Sequence, residues 1–234
     1  INEVMWMGST VKSFDEWIEL RNTTDEDIDI GQWTIENATS SHGVLHIPAS
    51  KTIPANGYFL IANYPKTSAN SALNVGVDEV NASLSLANSG NGNLILKDRD
   101  GNIIDQAKGD TWPAGVNITG EVPVKKSMER NDTPGDGTLA LSWHTCTDSQ
   151  CNDTTYWDSE GDNYGTPGSS NLSKDNSTET NLDFSLRPDK LAVGFKVSGS
   201  GVSAFTILEY KITYDSDSGP QAIMGNIDIL GASE

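Results

Sequence analysis

The chain has 234 residues, 35% of them hydrophobic, and a formal net charge of −18 from 33 Asp and Glu against 15 Lys and Arg. A field of that sign repels phosphate backbones and anionic lipid surfaces, which speaks against nucleic-acid binding and membrane-surface binding. The many Gly, Asn, Ser, Thr and Asp residues disfavour long helices, while six Trp and six Tyr supply enough apolar bulk to exclude global disorder.

The elements follow in chain order. The strand-like run Ile1–Trp6 opens the sequence directly, as in a mature fragment or a trimmed piece, so the lack of a signal peptide is no argument for the cytoplasm. Residues 16–20 (Glu-Trp-Ile-Glu-Leu) alternate as a strand, and Trp33-Thr34-Ile35 follows a glycine-containing turn. The turn Pro54-Ala55-Asn56-Gly57 leads into the short apolar run 58–62, of buried-strand type. Residues 83–86 (Ser-Leu-Ser-Leu) alternate cleanly and predict another strand. Residues 93–97 and 102–105 flank Asp98-Arg99-Asp100-Gly101, a hairpin signature. Many short strands separated by turns predict an all-β sandwich or barrel. Residues 169–181 are almost wholly polar and read as a linker. Beyond them, 182–186, 191–197, 206–214 and 222–229 predict four further strands, with Asp215–Gly219 as the last hairpin tip. Four strands make a small sheet with an exposed edge, open to assembly by strand addition. No apolar run approaches membrane-span length, so no membrane insertion is expected.

Cys146 and Cys151 are close enough in sequence to close a small loop through a disulfide. Zinc would call for further Cys or His ligands, and only His144 is nearby. A disulfide is favoured, which implies an oxidising compartment; two free thiols are the alternative.

Several segments in fixed order carry a family resemblance. They are Ile1-Asn2-Glu3-Val4, the run Asp15–Asn22, Gly31–Ile35, Pro54–Tyr58, Leu96–Asp105, Ser127-Met128-Glu129-Arg130, Trp143, and Gly165-Thr166-Pro167-Gly168 with Asn171. Over residues 1–172 the chain resembles the lamin-tail domain family. The resemblance implies an immunoglobulin-like β-sandwich over 1–172, followed by a polar linker over 173–181 and a second small β module over 182–234, which is either complete or cut short. In animals the domain ends the nuclear lamins and serves interactions; the bacterial relatives sit in secreted and surface proteins, beside nucleases, peptidases or adhesive modules. No coiled-coil heptads are present, so a lamin filament is not implied. Residues 182–229 resemble β modules that follow lamin-tail domains in some bacterial surface proteins.

The candidate sites are each weighed against a plain structural role. Asp98–Asn102 has oxygens spaced like the start of a calcium loop, but Ile103 stands where that loop needs Gly and strands flank it, so a hairpin turn is favoured. The turn residues Asp148, Asp153, Asp158, Glu160 and Asp162 form the best candidate calcium site, against the plain role of solvated acidic turns. His42 and His46 lack a helix and the glutamate of a zincin motif, and read as ordinary strand or loop residues. Glu16 and Glu19 belong to the lamin-tail motif, where hydrogen bonding within a strand outweighs glycosidase chemistry. Trp112 and Trp157 sit in loop-like surroundings and are the aromatics expected to be exposed to a ligand; Trp17 and Trp33 are expected in the core. No nucleophile elbow, phosphate loop or dinucleotide motif is present. The expectation is a non-catalytic structural or binding module of a secreted or cell-surface bacterial protein, without a cofactor unless calcium binds, and with a protein or glycan partner. An accessory domain of a larger secreted nuclease or peptidase, and a calcium-stiffened adhesin, are the alternatives.

Overall fold

A computed structural model describes residues 1–88, 93–108, 111–132, 134–158 and 161–172, together with the backbone of four strands between 183 and 225. The chain divides into two compact units, Ile1–Asn176 and Ser177–Glu234. The first unit carries β1 (Glu3–Met5), β2 (Trp17–Arg21), β3 (Ile28–Asp29), β4 (Thr34–Thr39), β5 (Gly43–His46), β6 (Thr52–Ile53), β7 (Tyr58–Ala62), β8 (Glu79–Val80), β9 (Asn93–Lys97), β10 (Ile103–Lys108), β11 (Val116–Ile118), β12 (Val124–Lys126), β13 (Met128–Arg130), β14 (Trp143–Thr145) and β15 (Asp162–Tyr164). The second unit carries β16 (Asp183–Arg187) paired with β17 (Ala192–Lys196), and β18 (Tyr210–Ser216) paired with β19 (Gly219–Gly225), both antiparallel. The β18–β19 ladder runs on through Asp215 and Ser216, which the sequence assigns to the hairpin tip.

The architecture is the expected all-β, immunoglobulin-like sandwich. One sheet has six strands in the order β14-β13-β1-β2-β7-β8, and another has four in the order β10-β9-β4-β5. Smaller sheets, β11-β12-β15 and β3-β6, flank them. Because side chains alternate across a strand, Val4, Ile18, Leu20 and Met128 share one face of the six-stranded sheet. Ile35, Leu45, Leu94 and Leu96 line one face of the four-stranded sheet, and all eight belong to one buried cluster. Arg130 of β13 ties the two sheets together through Asp105 of β10 at 2.9 Å, and its guanidinium lies 4.5 Å from the centre of the Trp143 ring.

Local turn chemistry explains where strands stop. Asp98 accepts the backbone N–H groups of Asp100 and Asn102 and the side-chain amide of Asn102, while Gly101 supplies the left-handed φ of +86°. The acidic run 98–102 is thus a hairpin turn between β9 and β10. The expected strand over 83–86 is a single bridge between Leu84 and Thr39 instead. Asn81 turns the chain there, its side chain accepting from the Ser83 N–H and its carbonyl from the Leu84 N–H. The alternation survives without the ladder, since Leu84 and Leu86 are both buried.

Candidate functional site

The outer face of the six-stranded sheet carries a row of ionisable side chains. The register pairs Glu19 of β2 with Glu3 of β1, Glu3 with Glu129 of β13, and Glu129 with His144 of β14. Directly opposed residues on neighbouring strands bring their side chains together on one face. Glu3, Glu19 and Glu129 are each 0% exposed. Charged groups are almost never buried to this degree unless partnered.

The partners come from the end of the first unit. The Thr166 N–H donates to both carboxylate oxygens of Glu3, at 3.0 and 3.2 Å. The Thr166 hydroxyl bridges Glu3 and Glu129, at 3.3 and 2.8 Å. Glu19 accepts the Gly168 N–H and, at 2.7 Å, the side-chain amide of Asn2. Asn171 secures the segment by donating to the Arg130 carbonyl at 2.6 Å and accepting from Asn2 at 3.0 Å. Residues 165–171 therefore form a clasp whose backbone and hydroxyl donors satisfy the carboxylate row. Gly165 is required beneath it, because a Cβ there would stand 2.7 Å from a Glu3 carboxylate oxygen.

At the far end of β2, Glu16 accepts the Leu86 N–H at 2.8 Å and Asp15 accepts the Ala72 N–H at 2.7 Å. These two carboxylates anchor the long connection between β7 and β9 from inside.

Burial dominates the electrostatics. It pushes the Glu3 carboxyl well above the usual carboxylate range, and the neighbouring Glu129 and Glu19 add to the shift. Glu19 is pushed up to about 8 by burial, against the opposing hydrogen bonds from Gly168 and Asn2. Glu16 reaches about 8 for the same first reason, opposed by the Leu86 N–H. Among the described residues the only ion-pair partner of the row is His144, whose Nε2 lies 3.0 Å from Glu129 Oε2.

The residues singled out in the sequence fall as follows. Cys146 and Cys151 form a disulfide with Cα atoms 6.3 Å apart. Asp148 caps the short 3-10 turn Ser149–Asn152 by accepting the Gln150 N–H. Asp153 accepts the N–H and hydroxyl of Thr155, which holds its carboxyl below the usual range. Asp158 and Asp162 line an open groove with Asn74, Asn152 and Thr154. Glu160 lies outside the described residues. Among the described residues these carboxylates do not gather into a group of three within ligand distance; the group that does is Glu129, Cys146 and Cys151.

Trp157 corrects the expectation of an exposed loop aromatic. It is 2% exposed, packed 6.3 Å from Trp17, and its indole N–H donates to the Cys151 carbonyl. The segment after it folds back over the outer face, so loop-like neighbours do not mean an exposed ring. Trp112 is half-buried, stacked on Trp6 at 6.1 Å with its N–H on the Ala87 carbonyl. Trp17 is buried in the core as expected, while Trp33 is partly buried against it. His46 is exposed on β5, and His42 sits in the tight turn between β4 and β5. Glu16 and Glu19 hydrogen-bond within the fold, as the motif reading expects. Glu3, Glu129 and Thr166 were not legible as partners, because their pairing rests on register between segments far apart in the sequence. The one local signal is a glutamate set between apolar strand residues, as in Asn2-Glu3-Val4 and Ile18-Glu19-Leu20.

Two β-sheets packed face to face through one apolar cluster define an immunoglobulin-like module. Residues 1–109 match the family model described as Lamin Tail Domain, and over this stretch the chain is similar to that immunoglobulin-like family. No curated protein and no solved structure matches the chain. The six-stranded sheet extends beyond the matched stretch, drawing β13 and β14 from residues 128–145.

Proposed function

We propose that the chain is a structural or binding module of a secreted or cell-surface bacterial protein, presenting its loops to a protein or glycan partner. The observation that carries this is the burial of its acid–base groups. Glu3, Glu16, Glu19 and Glu129 are at most 1% exposed, and each accepts hydrogen bonds from the protein itself, so they hold the fold instead of facing a substrate. The Cys146–Cys151 disulfide favours an oxidising compartment. The net charge of −18 suits a hydrated surface in the extracellular medium. Among the described residues no helix is long and apolar enough to cross a membrane. Leu139 and Leu141, exposed at the turn Ala140–Ser142, are apolar contacts that such a loop offers to a protein partner.

The test is protease shaving of intact producing cells, with thiols alkylated before lysis. The module should appear in the shaved or secreted fraction with Cys146 and Cys151 unalkylated until reduction. Recovery only from the cytosol, with both cysteines alkylated directly, would contradict the reading.

A further inference from the structure

The disulfide packs against the end of the carboxylate row. The sulfurs of Cys146 and Cys151 and a carboxylate oxygen of Glu129 all lie within 4.8 Å of one another, and all three residues are buried. His144 precedes Cys146 by two residues on an extended stretch, so the two side chains share a face. Its Nε2 is 3.0 Å from Glu129 Oε2, and its Nδ1 is 2.8 Å from Asn131 Oδ1. The Asn131 amide is itself fixed by donating to the Leu141 carbonyl at 2.7 Å. The clustered atoms are two sulfurs and a carboxylate oxygen, and the His144 imidazole adjoins them through Glu129; all are donor types zinc takes, and four residues between the cysteines is within the spacing of zinc-binding pairs. An imidazole whose second nitrogen is held by an outer hydrogen bond is the usual arrangement at such sites. The sequence shows three of these donors; the β13–β14 register supplies Glu129 as the fourth. The row also lacks a strong cation: among the described residues no Lys or Arg pairs with Glu3, Glu19 or Glu129. A divalent ion at Glu129 would place positive charge at the end of three buried carboxyls.

We propose that the reduced chain is a zinc-binding protein, with Cys146, Cys151, His144 and Glu129 as the four ligands of a closed Zn²⁺ site that the disulfide replaces on oxidation. A phosphine reductant is oxidised to the phosphine oxide by taking the oxygen of a water molecule, and the two electrons it gives up, with the two protons of that water, convert the S–S bond into two thiols. Zn²⁺ then displaces both thiol protons to solvent and takes the thiolates, the imidazole and the carboxylate. On oxidation by a disulfide acceptor, the two thiolates give up two electrons, the Cys146–Cys151 bond re-forms and Zn²⁺ is released. Asn131 acts as a positioning residue for His144.

The experiment titrates Zn²⁺ and Co²⁺ into the full chain, reduced by a phosphine and kept anaerobic, with the oxidised chain as reference. The reduced chain should take up one zinc ion, and the oxidised chain none at these ligands. Cobalt should give a near-ultraviolet thiolate charge-transfer band with the strong visible bands of a four-coordinate site. Asn131→Ala should weaken zinc affinity roughly tenfold or more while the melt of its oxidised form reports that the fold is kept. Glu129→Gln should weaken it at least as much; should that variant not fold, the wild-type cobalt spectrum decides. No zinc uptake by the reduced chain, uptake that survives alkylation of both cysteines, or a weak six-coordinate cobalt spectrum would overturn the proposal.

Discussion

The two faces of the six-stranded sheet are built on opposite principles. The inner face, with Val4, Ile18, Leu20 and Met128, meets the four-stranded sheet through apolar packing. The outer face carries Glu3, Glu19 and Glu129 at the same depth, yet is closed by the clasp 165–171 through hydrogen bonds. Burial alone therefore does not describe this core. The inner face draws stability from water exclusion, which is insensitive to pH, whereas the outer face draws it from carboxyl groups whose protonation depends on pH.

Substitutions should separate the two faces, and the largest effect belongs to the inner one. Ile18→Ala removes a fully buried side chain and should cost about 2–5 kcal/mol in chemical denaturation, by the same amount at pH 5 and pH 8. Gly165→Ala drives a Cβ toward Glu3 and Trp157 and should cost about 1–3 kcal/mol, because backbone of the clasp has to move. An Ala there that left stability unchanged would mean the clasp is loosely seated. Replacing both cysteines by Ser opens the loop between residues 146 and 151 and should cost about 2 kcal/mol, read as a lower melting temperature in the absence of zinc. The smallest effect should be Asp98→Ala, read as a drop in melting temperature smaller than that of the cysteine pair, since the β9–β10 turn is exposed and loses its side-chain cap without leaving a buried group unpaired.

The same division explains what was legible in the sequence. The inner face follows from alternation alone: the runs around Ile18, Phe59 and Leu94 read as strands and are strands. The hairpin at Asp98–Asn102 follows from turn chemistry confined to a few residues. The outer face depends on contacts across long separations, Asn2 to Asn171 and Glu3 to Thr166, which no local pattern encodes. Trp157 is buried for that reason, although its neighbours in sequence look like a loop. Asp148 and Asp153 were legible as turn residues, and their donors are local N–H and hydroxyl groups. Ser83–Leu86 shows the converse: its alternation reports burial faithfully but does not guarantee a paired strand.

The central claim is that the folded module holds protons on buried carboxyls of the outer face. With Glu19 on that face pushed up to about 8, and Glu16 just before β2 pushed equally far, the native state keeps protons that the unfolded chain releases near pH 4.5. Stability from such groups is full below the unfolded value and is lost as pH rises toward about 8, at about 1 kcal/mol per pH unit for each proton held. The most direct measurement is the unfolding free energy of the wild type and of Glu19→Gln, in urea, between pH 5 and pH 9. General relief of the −18 charge on acidification acts on both chains nearly alike. The account predicts that the wild type loses stability up to about pH 8 and that Glu19→Gln loses less, so the wild type falls relative to the variant as pH rises. Parallel curves, or a wild type that gains stability with pH, would contradict it.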